Sequence, residues 1–244
     1  MSAQMKPSGG GEMQDLEHQL IELANRQYES AEYQRLFSAP LTHKNIATYY
    51  VQHSHFVLNR RDCWGYVQGA APMEIKKLIW AHEEDELQGN RERGTADHYT
   101  LAINQGASVG LTPDDFRNSV QMDGTFVSMQ AWLNVAQKSH WLEGFAASSI
   151  LEVANSDELI RGGCYSRRMG EKLNKELGIP LRKQYSTAEH VVADVAHGLM
   201  MFEVAREYCH DEATRQLVLS GAKKSLAIAR IWYGYLGHVL ATSA

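Results

Sequence analysis

Residues 189–197 read Glu189-His190-Val191-Val192-Ala193-Asp194-Val195-Ala196-His197. The run carries no glycine or proline, and its apolar residues suit a helix. On a helix His190, Asp194 and His197 fall at i, i+4 and i+7, within roughly 60° of one another. Val191, Val192, Val195 and Ala196 around them predict a largely buried helix. Three ionisable groups projecting together from such a helix cost several kcal/mol unless something pairs or coordinates them. A metal ion satisfies that demand, and two histidines with one carboxylate suit non-haem iron, zinc or manganese. A hydrogen-bonded polar cluster is the alternative.

Outward from this run the chain also reads as helix. Its five prolines each lie beside an apparent break, leaving long intervals free. The pattern predicts helices over Glu12–Phe37, over Thr42–Arg60 with Thr42 as cap, and over Met73–Leu87 after Pro72. Further helices are predicted over Asp97–Val109 and Phe126–Val153, the latter adjusted near Gly144. Ser156 and Asp157 open one that ends near Gly178. Thr187 begins one running to Tyr208, and the last spans Glu212–Leu240. No long region alternates as a buried strand would. The expectation is a single-domain all-α bundle of seven or eight helices, occupying residues 14–244 behind a flexible leader at 1–13.

Composition narrows the function. In 244 residues there are 24 basic and 29 acidic side chains, a formal charge of -5, with 44% apolar residues. This excludes a disordered or collagen-like chain and argues against a general nucleic-acid binder. No apolar run reaches the roughly 18 residues a membrane span needs, and the first residues do not read as a signal peptide. Three scattered cysteines, Cys63, Cys164 and Cys209, fit reduced thiols, so a cytoplasmic protein with no membrane partner is expected.

Eleven histidines are more than such a chain needs. Besides His190 and His197, His98 opens a helix and His82 precedes the acidic run Glu83-Glu84-Asp85-Glu86. His53 and His55 are pocket candidates. Glu152 stands in an apolar, small-residue segment where a carboxylate needs a partner. Glu143, nine residues earlier, points about 180° away and cannot share its site. Tyr49, Tyr50, Phe56, Trp64, Trp132 and Trp141 are core aromatics or pocket walls. Arg161, Arg167, Arg168 and Lys172 form a basic group able to clamp a substrate carboxylate, and Gly162-Gly163 is expected to bend their helix.

From Glu29 to Leu240 the sequence resembles the haem-oxygenase-like diiron oxygenases and oxidases, relatives of the TenA thiaminases and of the cofactorless pyrroloquinoline-quinone synthase. His190-x3-Asp194-x2-His197 resembles the family's late-helix ligand triplet, and Glu152 its central carboxylate. Glu86-Leu87-Gln88-Gly89 resembles the segment supplying the first carboxylate, with His98 as the histidine that follows. Eleven residues separate Glu86 from His98, more than in the commonest pattern, and Glu83 or His82 would substitute.

The resemblance implies a metal site of Glu86, His98, Glu152, His190, Asp194 and His197 holding two Fe(II) per chain, with O2 as co-substrate. It implies oxidation of a small organic molecule, an amino acid or carboxylic acid, by N-oxygenation, oxidative decarboxylation, carbon–carbon cleavage or nitrile formation. An external electron donor and a homodimer are further expectations. The competing readings are a cofactorless oxidase, a TenA-like hydrolase and a non-catalytic helical binding protein.

Overall fold

The computed structural model describes residues 10–90 and 94–243, with side chains described from residue 14 onward except at 191–196. Among the described residues there is no strand. The chain forms α1 (Gly10–Gln27), α2 (Ala31–Ser38), α3 (His43–Ala70), α4 (Met73–Gln88), α5 (His98–Gly106) and α6 (Pro113–Arg117). It continues with α7 (Asp123–Lys138), α8 (Trp141–Asn155), α9 (Tyr165–Leu177), α10 (Tyr185–Tyr208) and α11 (Glu212–Thr242). Two short 3₁₀ turns, Ala107–Val109 and Leu181–Lys183, join neighbouring helices. Residues 10–13, expected in the leader, are helical backbone in α1.

Among the described residues the helix count exceeds the seven or eight expected because two predicted spans are each split in two and a short helix, α6, forms at Pro113; a third span is redrawn without adding a helix. Glu12–Phe37 breaks at Tyr28–Ser30. The Tyr28 hydroxyl donates to the Ala154 carbonyl at 2.5 Å, and Ser30 Oγ caps α2 by accepting from Tyr33 N at 3.4 Å. Phe126–Val153 breaks at Ser139–His140, where His140 Nδ1 accepts from Leu142 N at 3.2 Å. α8 runs without interruption through Gly144, which gives room to Val67 of α3, whose methyl would lie 3.1 Å from an added Cβ. Between Ser156 and Cys164 the chain turns instead of starting a helix. Gly162 and Gly163 hold φ of 73° and 94° there, so they precede α9 and do not bend it.

Other boundaries follow local chemistry. Thr42 and Asn45 form a reciprocal capping box that starts α3, as Asp211 and Thr214 do for α11. α3 nevertheless runs on to Ala70, ten residues beyond the expected end. Thr187 does not cap α10; its backbone N–H and hydroxyl are taken by Gln105 Oε1 at 2.9 and 3.2 Å, tying the first turn of α10 to α5.

α8 is the central helix, buried continuously from Leu142 to Ile150. α11 lies against it so closely that a Cβ on Gly221 would meet the Glu143 carbonyl at 2.1 Å. Trp64, Phe145, Ile150 and Trp232 fill the core around this contact. No helix among the described residues is long and apolar enough to cross a membrane.

Replacing Gly221 by Ala forces α11 away from α8 and should cost about 1–3 kcal/mol. Gly65 in α3 is exposed with no atom within 4 Å of an added Cβ, so Gly65→Ala should stabilise by about 0.5–1 kcal/mol. Urea unfolding followed by circular dichroism reads both, and equal effects would contradict this packing.

Candidate metal centre

α4 brings the first half of the site inward. Ile75, Ile79, His82 and Glu86 are its buried residues, at i, i+4, i+7 and i+11, so the histidine and carboxylate continue an apolar stripe. The acidic run is thereby divided: Glu86 is buried, Glu83 and Asp85 are half-buried, and Glu84 is exposed. Gly89, at a φ of 74°, ends the helix, and Asp97 caps α5 by accepting from Thr100 N at 2.9 Å. The longer connection still returns His98 to Glu86, with Nδ1 3.0 Å from Oε2.

α8 and α10 supply the other half. His82 Nε2 lies 4.0 Å from Glu152 Oε1, and the donor atoms of His82, Glu152 and His197 fall within 4.8 Å of one another. His197 Nδ1 is 3.6 Å from Glu86 Oε1 and its Nε2 3.9 Å from Asp85 Oδ2. Glu86 therefore stands between His98 and His197. One turn before Asp194, the His190 ring meets the His98 ring edge-on at 4.7 Å. Asp194 is on the helical backbone of α10, but its side chain lies outside those described.

Two arginines from α3 complete the cluster. Arg60 Nη2 donates to Glu152 Oε1 and to the Ser148 carbonyl, both at 2.8 Å. Arg61 Nη1 lies 2.6 Å from Glu83 Oε1 and 3.0 Å from Glu86 Oε2. Burial pushes the Glu152 carboxyl up, but Arg60 and then His82 outweigh it and hold it at about 2. The same contest, won by Arg61 and His98, leaves Glu86 well below the usual carboxylate range. For His82 burial opposes a proton, yet the hydrogen bond to Glu83 and the charges of Glu152 and Glu86 raise its pKa. The centre thus attracts positive charge.

The residues fit a metal. His82 Nδ1 is 3.0 Å from Glu83 Oε1, which fixes the tautomer and turns Nε2 inward. That nitrogen is buried with no hydrogen-bond partner. Imidazoles mixed with carboxylates form a donor set that suits iron.

A cavity of about 110 Å³ adjoins the centre. Glu86, His98, Glu152 and His190 form one wall, Arg60 and Arg61 border it, and Tyr33, Tyr49, Tyr165 and Tyr233 form much of the rest. The hydroxyls of Tyr49 and Tyr165 hydrogen-bond to each other. His53 also lines the cavity, and burial, with His190 nearby, lowers its pKa to about 3, leaving a neutral ring. Of the aromatics singled out in the sequence, Tyr49, Tyr50, Phe56 and Trp132 reach the cavity.

Other sequence candidates lie elsewhere. Glu143 faces α11, where Lys224 and Ser220 bind its Oε1 at 2.5 and 2.6 Å. His55 pairs with Ser119 at 3.0 Å. The basic group of α9 and its approach is committed outside the cavity: Arg161 pairs with Glu22, Arg167 with Asp157 and Lys172 with Glu176, while Arg168 covers the Tyr28 ring at 4.6 Å. The guanidiniums at the site are instead Arg60 and Arg61, which sequence reasoning passed over. Arg60 falls three residues after Val57 and four before Trp64, on the buried stripe of α3, and that spacing is the signal that marks it. All three cysteines are buried, and burial pushes the Cys63 thiol up to about 11, away from a nucleophilic thiolate.

The model of a family described as iron-containing redox enzymes matches residues 47–230. The chain belongs to that haem-oxygenase-like family. No curated protein matches it. Among solved structures it is similar to a CADD-like protein of unknown function from Nostoc punctiforme, at 17% identity and a TM-score of 0.71, covering 94% of this chain and 98% of that one. A domain of unknown function with a haem oxygenase-like fold from Shewanella denitrificans aligns at 14% identity and a TM-score of 0.70, covering 92% and 91%. A TenA homologue from P. horikoshii aligns at 15% identity and 0.60, covering 91% and 99%. At these identities the structures establish the fold.

Arg60→Met strands the Glu152 charge and should destabilise the metal-free protein by about 3–5 kcal/mol, with Glu152→Leu in the same chain recovering most of it. Because Glu152 takes its proton at lower pH when folded than when unfolded, its ion pair contributes fully above about pH 4.3 and is lost as pH falls toward 2. Urea midpoints across that window should therefore drop less steeply in Arg60→Met than in the wild type.

Proposed function

We propose that this chain is a non-haem iron oxygenase or oxidase that uses dioxygen to oxidise a small organic acid, an amino acid or another carboxylic acid. The observation that supports it most is the inward, unbonded His82 Nε2 beside Glu152 and His197, next to the Glu86–His98 pair. In this reading Glu86, His98, Glu152, His190, Asp194 and His197 hold two irons per chain, and His82 joins them on the Glu152 side. Glu86, placed between His98 and His197, would be among the carboxylates that hold the iron. Bound iron would supply the reduction and activation of dioxygen, with electrons from an external donor.

The protein's own side chains do the rest. Glu83 holds the Nδ1 proton of His82 and keeps Nε2 a neutral donor. Bundle packing shields the centre from water, so each charge there acts strongly. Arg60 and Arg61 bear on the substrate. Even with Asp194 counted, two divalent ions added to these carboxylates and guanidiniums leave excess positive charge in a buried place, and an anionic substrate offsets it. With Glu152 turned to metal, Arg60 is left to hold a substrate carboxylate, while Arg61 keeps its pair with Glu83 and the tyrosine wall orients the organic portion.

Anaerobic Fe(II) titration should give about two irons per chain, with a transient visible absorption on exposure to oxygen. Asp194→Ala and His197→Ala should lose iron while remaining helical by circular dichroism. Folded wild-type protein that holds less than one iron, or an Asp194→Ala variant with unchanged metal content, defeats the reading. Small carboxylic acids should bind the metal-loaded protein by calorimetry at least about tenfold more tightly than their amides, and Arg60→Gln should erase that difference.

A further inference from the structure

α4 turns a second face to solvent. Met73, Trp80 and Leu87 recur on it every seven residues and are 60%, 66% and 58% exposed. At 100° per residue they lie within about 40° of one another, drifting roughly 20° per heptad. Lys77 and Glu84, both exposed, occupy the intervening positions of the same heptad pattern. Single exposed apolar side chains are ordinary on a protein surface. Three large ones in a straight stripe along one helix mark an interaction site.

We propose that this stripe is the seam of a homodimer, in which α4 of one protomer packs antiparallel on α4 of its partner about a two-fold axis near Trp80. Charge selects both the occupant and the direction. Lys77 lies three residues before Trp80 and Glu84 four after it, on one flank of the stripe. In an antiparallel pair like flanks meet, so Lys77 of each protomer faces Glu84 of the other, and Met73 packs against Leu87 across the axis. A parallel pair would hold each Lys77 and the partner's Glu84 about 10 Å apart along the axis, so neither charge would meet its opposite. The surface is therefore complementary to itself under two-fold symmetry, as an isologous interface requires. The drift of the stripe matches the left-handed crossing of two such helices. His82 and Glu86 lie on the inward side of α4, so the dimer would steady the helix that carries them.

Sedimentation velocity at micromolar concentration should show a dimer for the full chain. Trp80→Glu should raise its dissociation constant by at least about thirtyfold with unchanged circular dichroism. Lys77→Glu and Glu84→Lys should each weaken the dimer, and the two changes in one chain should restore it. That rescue decides the matter even if Trp80→Glu unfolds. A monomeric wild type, a dimer that survives Trp80→Glu, or a double variant that stays monomeric overturns the proposal. A monomeric wild type in which Trp80 emission shifts only on removal of residues 1–9 would assign the stripe to the chain's own start, and overturns it equally.

Discussion

The structure depends on holding charged carboxylates inside an apolar bundle. Glu86 and Glu152 are 4% and 8% exposed, and an unpaired carboxylate at that depth would cost several kcal/mol. Arg61 and Arg60 make the cost bearable by direct contact, and His98 and His82 share the same oxygens. These partners come from four helices, α3, α4, α5 and α8, so the pairing ties together segments far apart in the chain. Helix placement and the chemistry of the centre are one problem, because moving any of these helices leaves a charge stranded.

That constraint explains the shape of the scaffold. α8 must be buried nearly all round to carry Glu152 into the middle, so its neighbours need small contacts, which Gly144 and Gly221 provide. Tyr28 leaves the helical path of α1 to reach the carbonyl of Ala154, two residues beyond Glu152, and fixes the end of α8. Gln105 pins the start of α10 to α5, holding His190 against His98. The polar contacts around the cavity are thus also the contacts that set helix register. Membership of an iron-containing redox family accords with a centre whose electrostatics favour positive charge.

Part of this was legible residue by residue. Capping chemistry is local: Thr42 with Asn45, Asp97 with Thr100, and Gly110 and Gly178 at positive φ need only a few neighbours, and these ends fell where expected. Breaks with long-range causes were missed. Nothing near Tyr28 announces that its hydroxyl will bond to residue 154, and nothing in the acidic run says which acid faces inward until α4 is packed. The inward side of α4 does have a sequence trace, since Ile75, Ile79, His82 and Glu86 keep helical spacing. An acidic run suggests solvent and conceals it.

By itself, the sequence determined an all-helical chain of this family with His190 and His197 seven residues apart on one helix and Glu152 inside another. Helical periodicity and burial cost are properties of short segments, so they can be read without a fold. Only the tertiary structure decided that Glu86 lies between His98 and His197, that His82 joins Glu152, and that Arg60 and Arg61, not the arginines of the α9 region, reach the cavity. The physical reason is that ion pairing between separate helices depends on distances of a few ångströms, and those are set by packing.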